Sequence, residues 1–307
     1  MPEVNLSTKK QKMAQDITKT LVLGGTGKTG SRIVQQLIDR DVAVRIGSRF
    51  ADIPFDWLDQ STWVPVLQDV KAVYIAYQPD LAVPGAVDAI RDFTQLAVKN
   101  GVQQLVMLSG RGEPEAQDCE RVVRQSGVDW TILRASWFCQ NFSEGYLLEP
   151  ILAGYVALPV ADIGEPFIDI DDLADVAVTA LTQPGHSGKV YELTGLRLLT
   201  FAEAIGEIAR AAGRSIQYEQ VPIETYTATL TEYGVPEEAI ALMTYLFTEV
   251  MDGRNSTLTN GVEEALGRKP TDFSDFVQKS IALGIWAETP GGEEAGATRS
   301  PEIEPRQ

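Results

Sequence analysis

Among its 307 residues the chain has a single histidine, His186, and two cysteines, Cys119 and Cys139. A disulfide framework and a Cys/His zinc site both need more of these residues than are present. A Ser-His or Cys-His catalytic pair would have to use His186, which lies in Pro184-Gly185-His186-Ser187-Gly188, a turn signal expected to put it in a surface loop. Positive charge is scarce too. The 26 Lys and Arg face 43 Asp and Glu, a net charge of −17, which argues against nucleic acid or an anionic membrane as partner. No apolar run is long enough to span a bilayer, and Lys9, Lys10, Lys12 and Lys19 are not followed by the apolar stretch of a signal peptide. The expectation is a reduced, cytoplasmic protein acting on a small-molecule substrate without a metal; a homodimer stays open.

What is present is ordinary globular material, 44% hydrophobic and 22% charged. Short, nearly continuous apolar runs at 20–23, 42–46, 72–76, 104–108 and 130–133 read as buried parallel strands. Helical patterns near 28–40, 84–99 and 114–126 separate them, and in the first Ile33, Val34, Leu37 and Ile38 form one apolar face. The alternation predicts an α/β fold, a Rossmann-type doubly wound parallel sheet. After about Ser136 helical patterns dominate, near 200–212, 222–232, 236–252 and 271–283, with short strands near 190–193 and 216–218. The expected organisation is a flexible leader at 1–18, a dinucleotide-binding domain at 19–150, a smaller and mainly helical substrate-binding cap at 151–286, and a disordered tail at 287–307. Residues 165–195 are expected to return to the first domain.

The strongest local motif is Leu23-Gly24-Gly25-Thr26-Gly27-Lys28-Thr29-Gly30, between the first strand and the first helix. Gly24, Gly27 and Gly30 allow a tight turn, the approach of a diphosphate to bare backbone, and close packing of the helix, whose N-terminus faces the anion. Gly27-Lys28-Thr29 also invites a P-loop reading, but that motif needs glycine where Val22 stands. At the end of the second strand, Arg45-Ile46-Gly47-Ser48-Arg49 lacks the acid that would accept from a ribose 2′-hydroxyl; the first one is Asp52. Ser48 and Arg49 suit a 2′-phosphate instead, so NADP (as NADPH) is favoured over NAD.

With these features the chain resembles the NmrA-like branch of the atypical short-chain dehydrogenase/reductases over roughly residues 20–285. Beyond the glycine loop the resemblance rests on Phe55-Asp56-Trp57-Leu58-Asp59, on 126–134, on Trp137-Phe138-Cys139-Gln140-Asn141-Phe142, on 167–174 and on 191–195. Within the branch it is most similar to ergot-alkaloid reductases of the festuclavine/agroclavine type, and more distantly to type 2 quinone oxidoreductases and triphenylmethane reductase. The resemblance implies that Gly24, Thr26, Gly27, Lys28 and Thr29 form the phosphate loop and that Ser48 and Arg49 meet the 2′-phosphate. It implies Asp56 and Trp57 at the adenine edge, Ala76, Tyr77 and Gln78 beside the ribose, and Ser109 near the nicotinamide.

Ordinary short-chain dehydrogenases protonate the product through a Tyr-x-x-x-Lys pair. Here Ala116 stands in the tyrosine slot and Glu120 in the lysine slot. Hydride transfer to an already electrophilic acceptor, such as a quinone, an iminium or a conjugated cation, does not need that pair. Ser109, Arg111, Trp137, Phe138, Asn141 and Tyr146 are candidates around the nicotinamide, with Ser109, Asn141 and Trp137 as the catalytic choices. Asn141 can donate to a substrate carbonyl or fasten local backbone. Trp137 and Phe138 can stack on a flat acceptor or belong to the core. Glu120 can be an acid or a structural acceptor. Asp169, Asp171 and Asp172 look like a carboxylate cluster, but Asp171 or Asp172 is expected to cap a helix, and no histidine or fourth close carboxylate completes a metal site. The reading is an NADPH-dependent oxidoreductase; the alternative is a non-catalytic NADP-binding redox sensor that acts through a protein partner.

Overall fold

The computed structural model describes residues 19–287, so the expected leader and the tail beyond Ala287 lie outside the described residues. Strand β1 (Lys19–Leu23) runs through the glycine turn into helix α1 (Lys28–Ile38), and β2 (Val44–Gly47) returns parallel beside it. After the short helix α2 (Trp63–Val66) the chain crosses to the other side of β1 as β3 (Val70–Ile75). Helices α3 (Ala86–Lys99) and α4 (Pro114–Arg124) then alternate with β4 (Gln104–Gly110) and β5 (Asp129–Ala135). Helix α5 (Leu148–Ala153) and strand β6 (Tyr155–Leu158) leave the sheet, whereas α6 (Ile170–Thr182) and β7 (Lys189–Leu193) rejoin it. The order is β2-β1-β3-β4-β5-β7, all parallel. This is the doubly wound, Rossmann-type α/β sheet that the alternation predicts, with its winding reversing between β1 and β3.

Strand periodicity builds two core layers. Leu21, Leu23, Val73, Ile75, Leu105 and Met107 face α3 and α4, while Val22, Tyr74, Val106 and Leu133 face α1 and α6. No strand lies outside β2 among the described residues. Segment 48–62 is pinned there by aromatic rings instead. Trp57 packs 5.0 Å from Phe55 and 5.3 Å from Phe93, and its indole N–H donates to the carbonyl of Ala76 at 3.1 Å.

A second cluster forms from the remaining helices, α7 (Phe201–Ala212), α8 (Ile223–Glu232), α9 (Glu237–Tyr245) and α11 (Phe273–Ala282), with β6 paired to β8 (Gln217–Gln220). Its centre is the buried rings of Phe142, Phe167, Phe201 and Phe273. Between α9 and α11 the chain returns to the sheet as α10 (Gly261–Leu266), whose Val262 packs with α6 and β7. No helix of the described residues is long and apolar enough to cross a membrane.

Three local expectations are corrected. The helix expected over 236–252 ends at Tyr245 and continues as a π-helical turn, Leu246–Val250. His186 is in a turn, but that turn is tucked against the sheet: the residue is 9% exposed and Nδ1 lies 2.8 Å from the Tyr191 hydroxyl. Desolvation, and then Lys189, hold the imidazole below its usual pKa. Neither Asp171 nor Asp172 caps α6; Asp169 does, accepting from the Asp171 amide at 2.9 Å. Asp171 pairs with Arg32 and Lys279, and Asp172 with Arg268, so each carboxylate already has cationic partners. Among the described residues no group of His, Cys, Asp and Glu could hold a metal ion.

Candidate active site

The glycine loop owes its shape to two residues. Gly24 adopts φ +65°, a conformation costly for residues with a Cβ, and its amide donates to Gly47 at 2.9 Å. Gly30 lies beneath it, where an added Cβ would stand 2.6 Å from the Gly24 carbonyl carbon and 2.8 Å from the Gly25 Cα. That contact draws the N-terminus of α1 against the loop and aims its free amides at the space above. Gly27 is the N-cap of α1. Lys28 reaches across to the 141–146 segment, with Nζ 3.5 Å from the Asn141 side-chain oxygen. Burial lowers its pKa, against the opposing pull of Glu144. Thr29 accepts from the buried hydroxyl of Tyr74 at 3.2 Å, and Thr26 is exposed on the rim.

A cleft of about 350 Å³ opens over the loop, at the C-terminal ends of β1, β3, β4 and β5. Such a crevice at the reversal of a doubly wound sheet is where ligands bind. Gly24, Gly27, Lys28 and Thr29 form one wall, and Ala76, Tyr77 and Gln78 a second. The six residues expected around the nicotinamide, Ser109, Arg111, Trp137, Phe138, Asn141 and Tyr146, all reach this cleft. Thr26, Gly30, Ser48, Arg49, Asp56 and Trp57 do not line it. The Asp56 carboxylate accepts from the Leu58 amide at 2.9 Å, and Trp57 meets Tyr77 ring to ring at 4.9 Å. Ser48, at the end of β2, is 5% exposed and its hydroxyl has no hydrogen-bond partner. Arg49 beside it is exposed, its guanidinium 5.9 Å above the Phe50 ring.

Below the cleft runs a chain of charges. The Ser109 hydroxyl donates to Glu120 at 2.7 Å, and the Arg134 guanidinium grips the same carboxylate with two bonds of 2.7 and 2.6 Å. Arg134 and Arg111 both reach Glu192, at 3.3 and 3.2 Å. Arg111 then ties the sheet to the second cluster, donating to the carbonyls of Asn255 and Thr257 at 2.7 and 3.0 Å. Glu120 is therefore a structural acceptor. Trp137 is half-buried, with its amide donating to Glu165 and its ring packed edge-on to Phe201 at 5.6 Å. Burial raises the Glu165 carboxyl to about 7. Cys139 is fully buried and does not border the cleft.

Several cleft residues escaped the sequence reading, and four of them matter for the chemistry. Asp80 and Glu113 come from the loops after β3 and β4, and Met243 and Leu246 from the far end of the second cluster. The two carboxyls carry a sequence signal, acids just beyond predicted strands; the two apolar residues carry none.

Comparison with known proteins agrees with the fold. A model described as NAD(P)H-binding matches residues 24–184, and the NmrA-like family model matches residues 116–277. Agroclavine dehydrogenase of Claviceps fusiformis is 31% identical, over 87% of this chain and 98% of its own length. Prestalk A differentiation protein A of Dictyostelium discoideum is 26% identical over 88% and 96%, and the NAD(P)H azoreductase of Xenophilus azovorans 28% over 85% and 98%. Among solved structures, the NADPH complex of the Escherichia coli quinone oxidoreductase QOR2 superposes with a TM-score of 0.70 at 19% identity, over 85% of this chain and 99% of that one.

Proposed function

Because this chain belongs to the NmrA-like family of NAD(P)H-dependent oxidoreductases, we propose that its cleft takes NADPH and passes hydride to an activated small-molecule acceptor. A quinone, an iminium or another conjugated electrophile fits this description. The observation that carries the reading is one continuous cleft with the glycine loop at one end and aromatic and apolar side chains at the other. Bound NADPH would supply the hydride. The residues of this chain bind, orient and exclude water.

The α1 N-terminus and the amides around Gly24 and Gly27 would face the diphosphate, with Thr26 at the rim and Lys28 adding charge. Gly30 acts by letting the helix approach. The buried Ser48 hydroxyl without a partner fits a missing acceptor group, and Arg49 next to it fits a 2′-phosphate, which favours NADPH over NADH. Ala76, Tyr77 and Gln78 would border the ribose, with Asp56 and Trp57 behind them at the adenine side. Ser109 already donates its hydrogen to Glu120, so it offers the cofactor or substrate an acceptor and not a proton.

Trp137, Phe138, Tyr146, Met243 and Leu246 would cover a flat acceptor, and the Asn141 amide could orient its polar edge. Ala116 and Glu120 stand where a Tyr-x-x-x-Lys pair would be; the first has no proton to give and the second is held by Arg134. Unactivated ketones should therefore be poor substrates. NADPH oxidation, followed at the nicotinamide absorbance against quinones, iminium compounds, azo dyes, triarylmethane cations and simple ketones, tests this. Turnover of activated acceptors alone is expected. Robust ketone reduction would overturn the acceptor class. Tight NADPH binding without any turnover, together with NADPH-dependent capture of a protein partner, would move the reading to a redox sensor.

A further inference from the structure

Glu113 occupies the N-cap position of α4 but makes no capping hydrogen bond. Its side chain turns back over Gly110, where an added Cβ would collide with the carboxyl group. Gly110 directly follows Ser109, so this carboxyl lies on the floor of the cleft, and the residue is only 7% exposed. The side chain that meets it is Asp80, from the loop after β3. Asp80 is oriented by the Ala82 amide, which donates to its carboxylate at 2.8 Å. Both residues line the cleft. Two carboxyls set this close in a shielded cleft favour holding one proton between them, since two adjacent carboxylates repel and burial disfavours their charge.

We propose that the Asp80–Glu113 pair is the proton donor of the reaction. It delivers its shared proton to the acceptor atom that becomes anionic as hydride arrives. The proposal rests on the oxidoreductase reading above and supplies the acid that Ala116 and Glu120 cannot. For a quinone, hydride from the nicotinamide adds to the conjugated ring system and a carbonyl π pair moves onto oxygen. The Glu113 O–H bond breaks, its electron pair stays on the carboxylate, and a new O–H bond forms on the quinone oxygen. The resulting hydroxydienone then loses its extra ring proton to water while its second carbonyl oxygen takes one up, so quinone, hydride and proton together give hydroquinone. The pair, now carrying two negative charges, recovers one proton from water.

The surroundings keep that proton in place. Burial first, and then the charge of Asp80, raise the Glu113 carboxyl to about 9. Glu115, in the first turn of α4, adds negative charge and accepts from the Tyr245 hydroxyl of α9 at 2.7 Å. Cys119 lies within electrostatic reach of both Asp80 and Arg91. Arg254 binds the Gly112 carbonyl at 3.2 Å but pairs with Asp252, and Arg111 is turned away to Glu192. The Tyr77 phenol of the cleft is a weaker acid, because burial raises it above the ordinary phenol. An acid poised nearer neutrality is the more efficient donor.

The test compares two acceptors in the full chain with NADPH: a p-quinone, which needs a proton, and a triarylmethane cation, which becomes neutral by hydride alone. In Glu113→Gln and Asp80→Asn the quinone rate should fall by roughly 10²–10⁴ relative to the cation rate. The alkaline fall of the quinone pH profile should disappear in Glu113→Gln. Infrared spectra of the protein without dinucleotide give a second readout. A protonated-carboxyl band should persist at neutral pH and be lost in Glu113→Gln. An unchanged quinone-to-cation ratio, or no such band in the unmodified protein, would overturn the donor role while leaving the oxidoreductase reading intact. Loss of that ratio in Tyr146→Phe and not in Glu113→Gln would overturn it as well. If the unmodified protein oxidises NADPH with neither acceptor, the oxidoreductase reading itself falls.

Discussion

Gly30→Ala and Gly27→Val should fail in opposite ways, because the two glycines of the loop meet different things. At position 30 the new methyl group points at backbone, 2.6 Å from the Gly24 carbonyl carbon and 2.8 Å from the Gly25 Cα, where ordinary contact begins near 3.4 Å. No rotamer relieves that clash. Helix α1 has to retreat by most of an ångström, and its buried Ile33, Val34 and Leu37 lose register with α6. Overpacking of this kind costs about 1–3 kcal/mol. The better helix propensity of alanine returns up to about 1 kcal/mol of it. A net loss near 2 kcal/mol would lower Tm by roughly 3 °C in a chain of this size. Position 27 is different: its φ of −84° suits any residue, and it lies on the cleft surface. Valine there should leave Tm close to the unmodified value and remove NADPH binding, by occupying the diphosphate's path. Differential scanning calorimetry and titration calorimetry on both variants separate the cases. A Gly30→Ala protein with unmodified Tm would refute the packing argument, and normal NADPH binding by Gly27→Val would refute the phosphate loop.

Other outcomes follow from the same geometry. Arg49→Ala should weaken NADPH by about 1.5–3 kcal/mol, the value of a charge-assisted contact, and leave NADH nearly unchanged; equal NADPH and NADH affinities in the unmodified protein, measured by calorimetry, would contradict the 2′-phosphate assignment. Glu120→Ala strips Arg134 and Ser109 of their buried acceptor and should cost roughly 3 kcal/mol, read as a shift of the urea midpoint. Glu113 gives a pH signature. The folded state keeps a proton that the unfolded chain releases above its ordinary carboxyl pKa, so stability should fall as pH rises from about 4.5 towards about 9. That slope is at most one proton, about 1.4 kcal/mol per pH unit, and Glu113→Gln should flatten it in Tm measurements; identical slopes would count against the protonated carboxyl. Asn141→Ala and Trp137→Ala should lower kcat more than they weaken NADPH, and a loss confined to NADPH affinity would place them with the cofactor instead.

Much of this site could be read from the sequence because its signals are local. The glycine loop needs only a strand before it and an amphipathic helix after it, and both are written in consecutive residues. Ser109, Arg111, Trp137 and Asn141 follow strands whose ends must share one edge of a parallel sheet, so their convergence is a consequence of topology. The pairing of Asp80 with Glu113 is not local. It depends on β3 and β4 being neighbours and on Gly110 leaving room for a carboxyl, neither of which periodicity reveals. Met243 and Leu246 are harder still, arriving from a cluster whose docking is set by tertiary packing. His186 was misplaced for a related reason: its Gly and Pro neighbours do make a turn, but the partner that buries it is Tyr191, on the strand beyond. The Phe55–Trp57–Trp63 aromatic packing beside β2 carries no strand or helix periodicity, so nothing local announces it.

The path of the chain between the sheet and the helical cluster limits how this protein can be altered. It leaves the sheet after β5, returns for α6 and β7, leaves again at α7, comes back as α10, and departs once more into α11. No single pair of cuts would release the cluster as a transplantable module, and no single hinge lets it swing like a door. Arg111 rivets the 255–257 segment to the end of β4 as well. New acceptor preferences should therefore arise by exchange of individual side chains such as Met243 or Tyr146, and not by trading one cluster for another. Attempts to build chimaeras at a single junction near Ala135 should give insoluble protein.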